Sequence, residues 1–460
     1  MKEAIAEFEQ ALVAQPPEAY YDVGRKEYLM QDKRGNWFGL TEAQYKRVLR
    51  QHGVSARADE KGGLSPQDEA ILNLQQDRNV MWSGALAGYK TGFYEMSGTR
   101  VLVTSSPRII EPAEGGWAIL KGVIEGVLGN DGAQVAHFLG WLKVGYEALR
   151  AGRRQPGQVV VFCGPHGSGK SLVQHVVTQV LGGRCAKPYQ AMSGGTSFNS
   201  DLFGAEHLVV EDEQASTDIR ARRNFGCQIK NVTVCVDQRL HAKHRDAIVL
   251  RPFWRMSVSL NSEQENIMII PPLDDSLEDK IMIFRAVWHK MPMLTGTAEQ
   301  RDAFWAALVA QVPAMLAELV AMEIPAELKC ERFGVKHYHH PEIVRMLNEV
   351  APEFRLLALI DATLFPPTDE GLPGVAEART EWTGTAEALQ ALLTGTGSSH
   401  GYEARQVLSW ANACGTYLGR LAKRRPDRVK QERSADSRSW RVFRLLEGSD
   451  TGRKEVDGVL

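Results

Sequence analysis

The strongest constraint on how this chain folds is an apolar run, QVVVFCG, which leads into Gly164, Pro165, His166, Gly167, Ser168, Gly169, Lys170 and Ser171. SLVQHVVTQVLGG follows with helical periodicity and stops on glycines, giving strand, glycine-rich turn and helix in the order that a phosphate-binding loop requires. Gly164, Gly167 and Gly169 let backbone N–H groups turn toward phosphate oxygens. Lys170 reaches the β and γ oxygens, and the Ser171 hydroxyl ligates Mg²⁺. A chance glycine-rich turn does not reproduce all of these residue types in that context. The expectation is a site that binds and hydrolyses a nucleoside triphosphate, ATP, with Mg²⁺. Strand and helix patterns alternate from 153 to about 290, which predicts an α/β core with a mostly parallel sheet.

Further along, HLVVEDE reads as a buried strand that ends in Glu211, Asp212 and Glu213. One carboxylate there would hold Mg²⁺ through water, and a neighbour would orient the water that attacks the γ-phosphorus. Asp212 is favoured for the metal and Glu213 for the water. The register using Glu211 and Asp212 stays open, because alternation along a strand does not say which side chain faces the nucleotide. Another apolar strand, FWRMSVSLN, ends in Asn261, whose amide can hydrogen-bond the attacking water or the γ-phosphate. An asparagine in that place is otherwise a turn residue. PPLDDSLEDKIMIFR offers Lys280 and Arg285 as cations for a neighbouring subunit's γ-phosphate, against the plainer reading of solvated surface charge.

A chain of 460 residues is too long for one core, so several domains are expected. The reading divides it into a small module at 1–75, two amphipathic helices within 76–152, the ATPase core at 153–330, a helical connector at 331–375, a small domain at 376–446 and a polar tail at 447–460. Net charge is −2, so no global field draws the molecule to nucleic acid, and any polyanion site must be local. The six cysteines form no CxxC pair, which fits buried thiols in a reducing compartment. The N-terminal residues lack a basic-then-apolar pattern, and the expected location is the cytoplasm, with no membrane partner. KHYHHPE groups His337, His339 and His340 but brings no cysteine or carboxylate at a ligand spacing, so no zinc site is expected there. Trp382, Trp410 and Trp440 read as core residues.

The order of P-loop, acidic strand, basic segment (IKNVTVCVDQRLHAKHRDAIVL) and asparagine-terminated strand resembles the superfamily three helicases, specifically the helicase half of phage and mobile-element primase-helicases. The resemblance spans roughly residues 85 to 445. It implies an AAA+-like ring-forming ATPase core, a preceding helical collar over 76–152 used in oligomerisation, and a C-terminal winged helix. It also implies a homo-oligomer, a hexamer, acting on DNA as a helicase or translocase in phage, plasmid or mobile-element replication. In that family the segment after the acidic strand supplies a pore hairpin. Lys230, Arg239, Lys243, His244 and Arg245 match it, and such cations grip single-stranded backbone without reading sequence. Lys280 stands where those proteins often have arginine. The first 75 residues are too short for a primase-polymerase domain, so a primase or other replication protein would be a separate partner. At the basic C-terminal end, Arg420, Lys423, Arg424 and Arg425 would face duplex phosphates from a recognition helix, with Lys430, Arg433, Arg438, Arg441 and Arg444 on the wing. Rival readings on the same core are an origin-binding initiator and a DNA-responsive sensor or defence ATPase.

Overall fold

The computed structural model describes residues 17–58, 62–211, 219–243, 245–263, 267–271, 273–366, 380–433 and 438–444. The chain divides into two compact units, Met1–Ile343 and Val344–Leu460.

At the heart of the first unit is a five-stranded sheet in the order Ile281–Arg285, Val159–Cys163, Arg255–Leu260, His207–Glu211, Cys185–Ala186. Every pairing in it is parallel. Strands covered on both faces need no polar alternation, which is why VVVFC and IMIF are unbroken apolar runs. On one face Val160, Phe162, Met282 and Phe284 join a core built with the helices Ala118–Val127, Gly132–Arg150, Lys170–Val180 and Ala298–Ala321. Phe138 from the second of these helices meets Phe162 and Phe284 edge-on, with ring centroids 5.6 and 6.1 Å away. The helix Ile219–Val234 packs against Arg255–Leu260 and buries Phe225 and Ile229. The sheet's outer edge is covered by residues 337–340, where Ile283 N donates to the Tyr338 carbonyl at 2.7 Å and His340 N to the Ile283 carbonyl at 2.9 Å.

The amino-terminal module is a sheet in the order Trp37–Leu40, Glu27–Gln31, Ala19–Asp22, Asn79–Val80, with helices Glu42–Gln51 and Pro66–Asp77. It runs a few residues past the expected boundary at 75, because Asn79–Val80 pairs with the opening strand. Residues 76–152 differ more from expectation. They begin with a second sheet, Trp82–Gly84, Thr99–Val103 and Gly92–Met96, whose hairpin turns through Ser97 and Gly98 at φ 49° and 75°. The two helices that follow, over 118–150, are laid on the central sheet and form one layer of its core. Helix Ala298–Ala321 is, among the described residues, long and apolar enough by length and composition to cross a membrane. In this fold it sends Phe304, Leu308, Val312, Met315, Leu316 and Leu319 into the same core.

The second unit packs helices Pro352–Leu364, Ala386–Thr394, Gly401–Val407 and Ala413–Arg424 on an antiparallel sheet ordered Glu381–Gly384, Arg438–Phe443, Val429–Arg433. The helix Pro352–Leu364 fell in the expected connector. Its residues Leu356, Leu357, Ile360 and Leu364 instead share one core with Leu389, Leu418, Leu421, Trp382 and Trp440. The unit therefore starts at Val344 rather than near 376.

Candidate functional site

Parallel strands bring their carboxyl ends to one edge, where open α/β sheets bind ligands. The asparagine strand lies between the P-loop strand and the acidic strand, with Leu260 opposite Cys163 and Ser259 opposite Glu211. Gly164 N donates to the Leu260 carbonyl at 3.1 Å, and Ala286 N donates to the Cys163 carbonyl at 2.7 Å. Gly164 is thus wedged between neighbouring strand ends, and a Cβ there would run into the Ala286 carbonyl oxygen. Gly167 and Gly169 turn the loop at φ 74° and 93°, conformations that glycine alone adopts without strain. Helix Lys170–Val180 starts at once, so its first N–H groups point into the loop. Pro165, His166 and Gly167 form an exposed crest, Ser168 is buried and Ser171 half-buried.

Lys170 is buried, and its Nζ donates to the carbonyls of Gly164 at 2.9 Å and Pro165 at 2.8 Å and to Asn261 Oδ1 at 3.2 Å. The Asn261 amide oxygen and the Lys170 ammonium thus share one spot at the strand ends. Burial pushes the Cys163 thiol up to about 12, which makes it a packing group rather than a nucleophile.

Along the acidic strand, His207 and Glu211 look toward the P-loop helix. Glu211 lies 3.9 Å from His175 and 3.5 Å from Lys187. His207 is bonded to Thr178 Oγ1 at 2.7 Å and Ser257 Oγ at 2.8 Å, while Gln174 Nε2 donates to the same Ser257 oxygen at 2.9 Å. Full burial holds His207 down to about 3, so it is a neutral bridge in this network. Asp212 and Glu213 lie outside the described residues.

The two expected trans-acting cations part ways. Lys280 sits at the amino end of strand Ile281–Arg285, opposite the P-loop edge, buried and paired with Asp279 at 2.6 Å. Arg285 is level with Cys163 at the P-loop edge and pairs with Glu342 at 3.1 Å. The cradle of glycines, the helix start and the Lys170–Asn261 pair fit a triphosphate. Ser171, at the start of the helix Lys170–Val180, is the hydroxyl that would ligate Mg²⁺, and Glu211 is the described carboxylate that ends the acidic strand.

Between the acidic and asparagine strands, Gln238–Leu240 and Ile248–Leu250 form an antiparallel hairpin with the described residues 241–243 and 245–247 at its tip. Arg239 and Lys243 are exposed, Arg245 approaches Gly24 of the amino-terminal module, and Lys230 bonds Ser276 Oγ. His244 lies outside the described residues. Two residues not read from the sequence join this region. Exposed Phe198 packs on His241 with centroids 5.2 Å apart, on a segment that braces the hairpin through Asn199 Oδ1 accepting from His241 N at 2.7 Å. Arg25 lines a cleft of about 460 Å³ with Lys243 and Arg245. GTSFNS has no periodicity, and the Val23–Lys26 turn belongs to another module, so neither was legible locally.

In the second unit the expected recognition helix is Ala413–Arg424. Much of its charge is already met: Arg420 and Arg424 approach the buried Glu353 at 3.5 and 3.1 Å, and Arg425 grips Asp427 at 2.7 Å. Of the basic residues expected to face DNA in this unit, Lys423, Lys430 and Arg438 are exposed.

Fold and strand-end site together define a mixed α/β domain with a glycine-rich loop at the carboxyl edge of a parallel sheet. The structure is similar to the A form apo structure of the NrS-1 C-terminal region, at TM-score 0.53 and 13% identity, covering 95% of this chain and 98% of that one. It is similar also to the apo structure of NrS-1 residues 305–718, at TM-score 0.52, 13% identity and the same coverage. A more distant likeness, at TM-score 0.33 and 10% identity over 85% of this chain and 88% of that one, is to the SCCmec type IV Cch active helicase. No protein-family model and no curated protein matches the sequence.

Proposed function

We propose that this protein is an ATP-driven DNA helicase or translocase that works as a homo-oligomeric ring, a hexamer, in the replication of phage, plasmid or mobile-element DNA. The observation that carries the reading is the 3.2 Å contact between Lys170 Nζ and Asn261 Oδ1, which joins a polar residue of a separate strand to the lysine of the glycine-rich loop. On ATP binding, Lys170 exchanges the Gly164 and Pro165 carbonyls for β and γ oxygens. Asn261 is then released to orient the attacking water, together with a carboxylate from Glu211, Asp212 or Glu213. Mg²⁺, held by Ser171 and Asp212, would neutralise charge that develops on the phosphates. Arg285, at the P-loop edge of the outer strand, is the better placed of the two candidate trans-acting cations.

Lys243 and Arg245, at the hairpin tip, would track single-stranded backbone, with Arg239 at the root. The second unit has the element order helix, strand, helices, hairpin that a winged helix requires, and supports duplex contact through Lys423, Lys430 and Arg438 rather than through Arg420, Arg424 and Arg425.

The test measures ATP hydrolysis by the wild type and Lys170→Ala with and without single-stranded and duplex DNA, alongside mass by light scattering. The expected result is Lys170-dependent hydrolysis that rises with single strands at a ring-sized mass. Hydrolysis that needs Lys170 but ignores every DNA would overturn the helicase reading and leave the sensor ATPase as the better account.

A further inference from the structure

We propose that Glu278, His337 and His339 form a binding site for a divalent transition-metal ion of the zinc class, which ties the covering segment 337–340 to the start of strand Ile281–Arg285. One ligand atom from each of the three lies within 4.8 Å of the others. Two imidazoles and a carboxylate are a donor set suited to zinc, with an open fourth position for water.

The backbone explains why these residues meet. Residues 337–340 run extended along the outer strand, so His337 and His339, two apart, project to the same side, with ring centroids 4.9 Å apart. Tyr338 between them projects inward, stacking on Phe284 at 5.7 Å. This alternation anchors the segment by its middle residue and presents the two histidines together. Glu278 arrives from the short turn Glu278–Lys280 that opens the strand.

The second shell is also in place. His339 Nε2 lies 3.0 Å from the Ile281 carbonyl oxygen, an outer contact that holds the ring in its orientation. The neighbouring cations Lys280 and Arg332 are both held by Asp279, at 2.6 and 2.9 Å. Glu278 takes part in no ion pair among the described residues, so its carboxylate remains for a metal. Ligand atoms about 2.1 Å from a tetrahedral ion are about 3.4 Å apart. Closing the cluster therefore requires movement of about 1 Å by the exposed Glu278 and partly exposed His337 side chains, with no backbone change. Hard ions prefer all-oxygen shells, so Mg²⁺ at the nucleotide site and a nitrogen-seeking ion here would not compete. Bound metal would clip the two ends of the segment that contains helix Ala298–Ala321 to the outer edge of the ATPase sheet.

The test titrates untagged full-length protein with Co²⁺ in saturating Mg²⁺, following the visible ligand-field band of low-coordinate cobalt, then displaces it with Zn²⁺. One Co²⁺ per chain is expected, with affinity at least about tenfold weaker in His337→Ala and in Glu278→Gln, and unchanged in His400→Ala. Zinc at about a hundred times its Kd should raise the melting temperature of wild type by about 3–5 °C and that of the two variants by much less. Cobalt binding equal in wild type, His337→Ala and Glu278→Gln would overturn the assignment, as would no band at ~0.1 mM Co²⁺. Both substituted side chains face solvent, so the variants should fold, and the readout is independent of ATP hydrolysis.

Discussion

Replacing Asn261 with aspartate puts a carboxylate where an amide oxygen lies 3.2 Å from Lys170 Nζ. A full ion pair at that separation, at an effective dielectric of ~20, has a Coulomb energy of about 5 kcal/mol. Desolvating a new carboxylate beside the buried Lys170 offsets part of this. If half survives, Lys170 is held back by about 2.7 kcal/mol, roughly a hundredfold in equilibrium. The triphosphate needs that same ammonium and also meets a like charge, so Asn261→Asp should weaken ATP affinity about 100-fold or more. Asn261→Ala removes the acceptor without adding a competitor. Its ATP affinity should stay within about threefold of wild type, while kcat falls by about 10²-fold, the usual loss of a group that orients charge in a transition state. Titration with a fluorescent ATP analogue and a phosphate-release assay separate the two effects. If Asn261→Asp bound ATP as tightly as wild type, the shared position of Lys170 and Asn261 would be refuted, and with it the role of the asparagine strand in the site.

Exposed Lys243 at the hairpin tip should contribute one phosphate contact, so Lys243→Ala is expected to weaken single-strand affinity equally across sequences and to lower the salt slope by about one, read by fluorescence anisotropy at several salt concentrations. His207, held at about 3 when folded against about 6.5 when free, stays neutral in the fold while the unfolded chain takes up a proton. Its contribution is full above about pH 6.5 and is lost as pH falls below that, by up to roughly 1.4 kcal/mol per pH unit; urea melts at pH 7.5 and 5.5 should show this, with His207→Gln flattening the dependence. Glu353→Gln leaves Arg420 and Arg424 facing a neutral group in the second unit, at a cost of about 2–4 kcal/mol visible in thermal melts, and should raise duplex affinity because one neutralising charge beside them is gone.

How much of this was legible depends on how local each feature is. The strand, glycine-rich turn and helix over 159–180 read from the sequence because they are contiguous and Gly164, Gly167 and Gly169 each have a backbone reason to be there. Asn261 was visible as a strand end, but its meeting with Lys170 depends on the parallel register that sets Leu260 beside Cys163, which no periodicity encodes. The helices over 118–150 were legible as helices, since spacing reveals an apolar face; it does not reveal what covers that face, and Phe138 meeting Phe162 makes them part of the core. Pro352–Leu364 was misplaced for the same reason. Counting charge along the chain made Arg420 and Arg424 look free, because the carboxylate that meets them comes from another helix. Glu278 and the histidine segment are likewise joined through the sheet edge rather than by spacing.

On the proposed function, the chain path also limits how ATP chemistry could move DNA. The returning arm of the hairpin, Ile248–Leu250, leads through Phe253 and Trp254 into Arg255–Leu260 and ends at Asn261. That path is pinned at several points: Phe253 N donates to the Ala87 carbonyl at 2.9 Å, Trp254 Nε1 to the Leu202 carbonyl at 3.0 Å, and Arg255 Nη1 to the Gln155 carbonyl at 2.8 Å. The strand is then bonded to a neighbour on each side. A slip of one residue would turn each buried side chain to the opposite face, so the strand cannot slide as a rod between nucleotide and hairpin. Asn261 and the hairpin root must move as one body. If the hairpin grips DNA, a stroke has to come from rotation of this whole body against its neighbours in an assembly, which is why a cation supplied across a subunit boundary suits the site better than a lever within one chain.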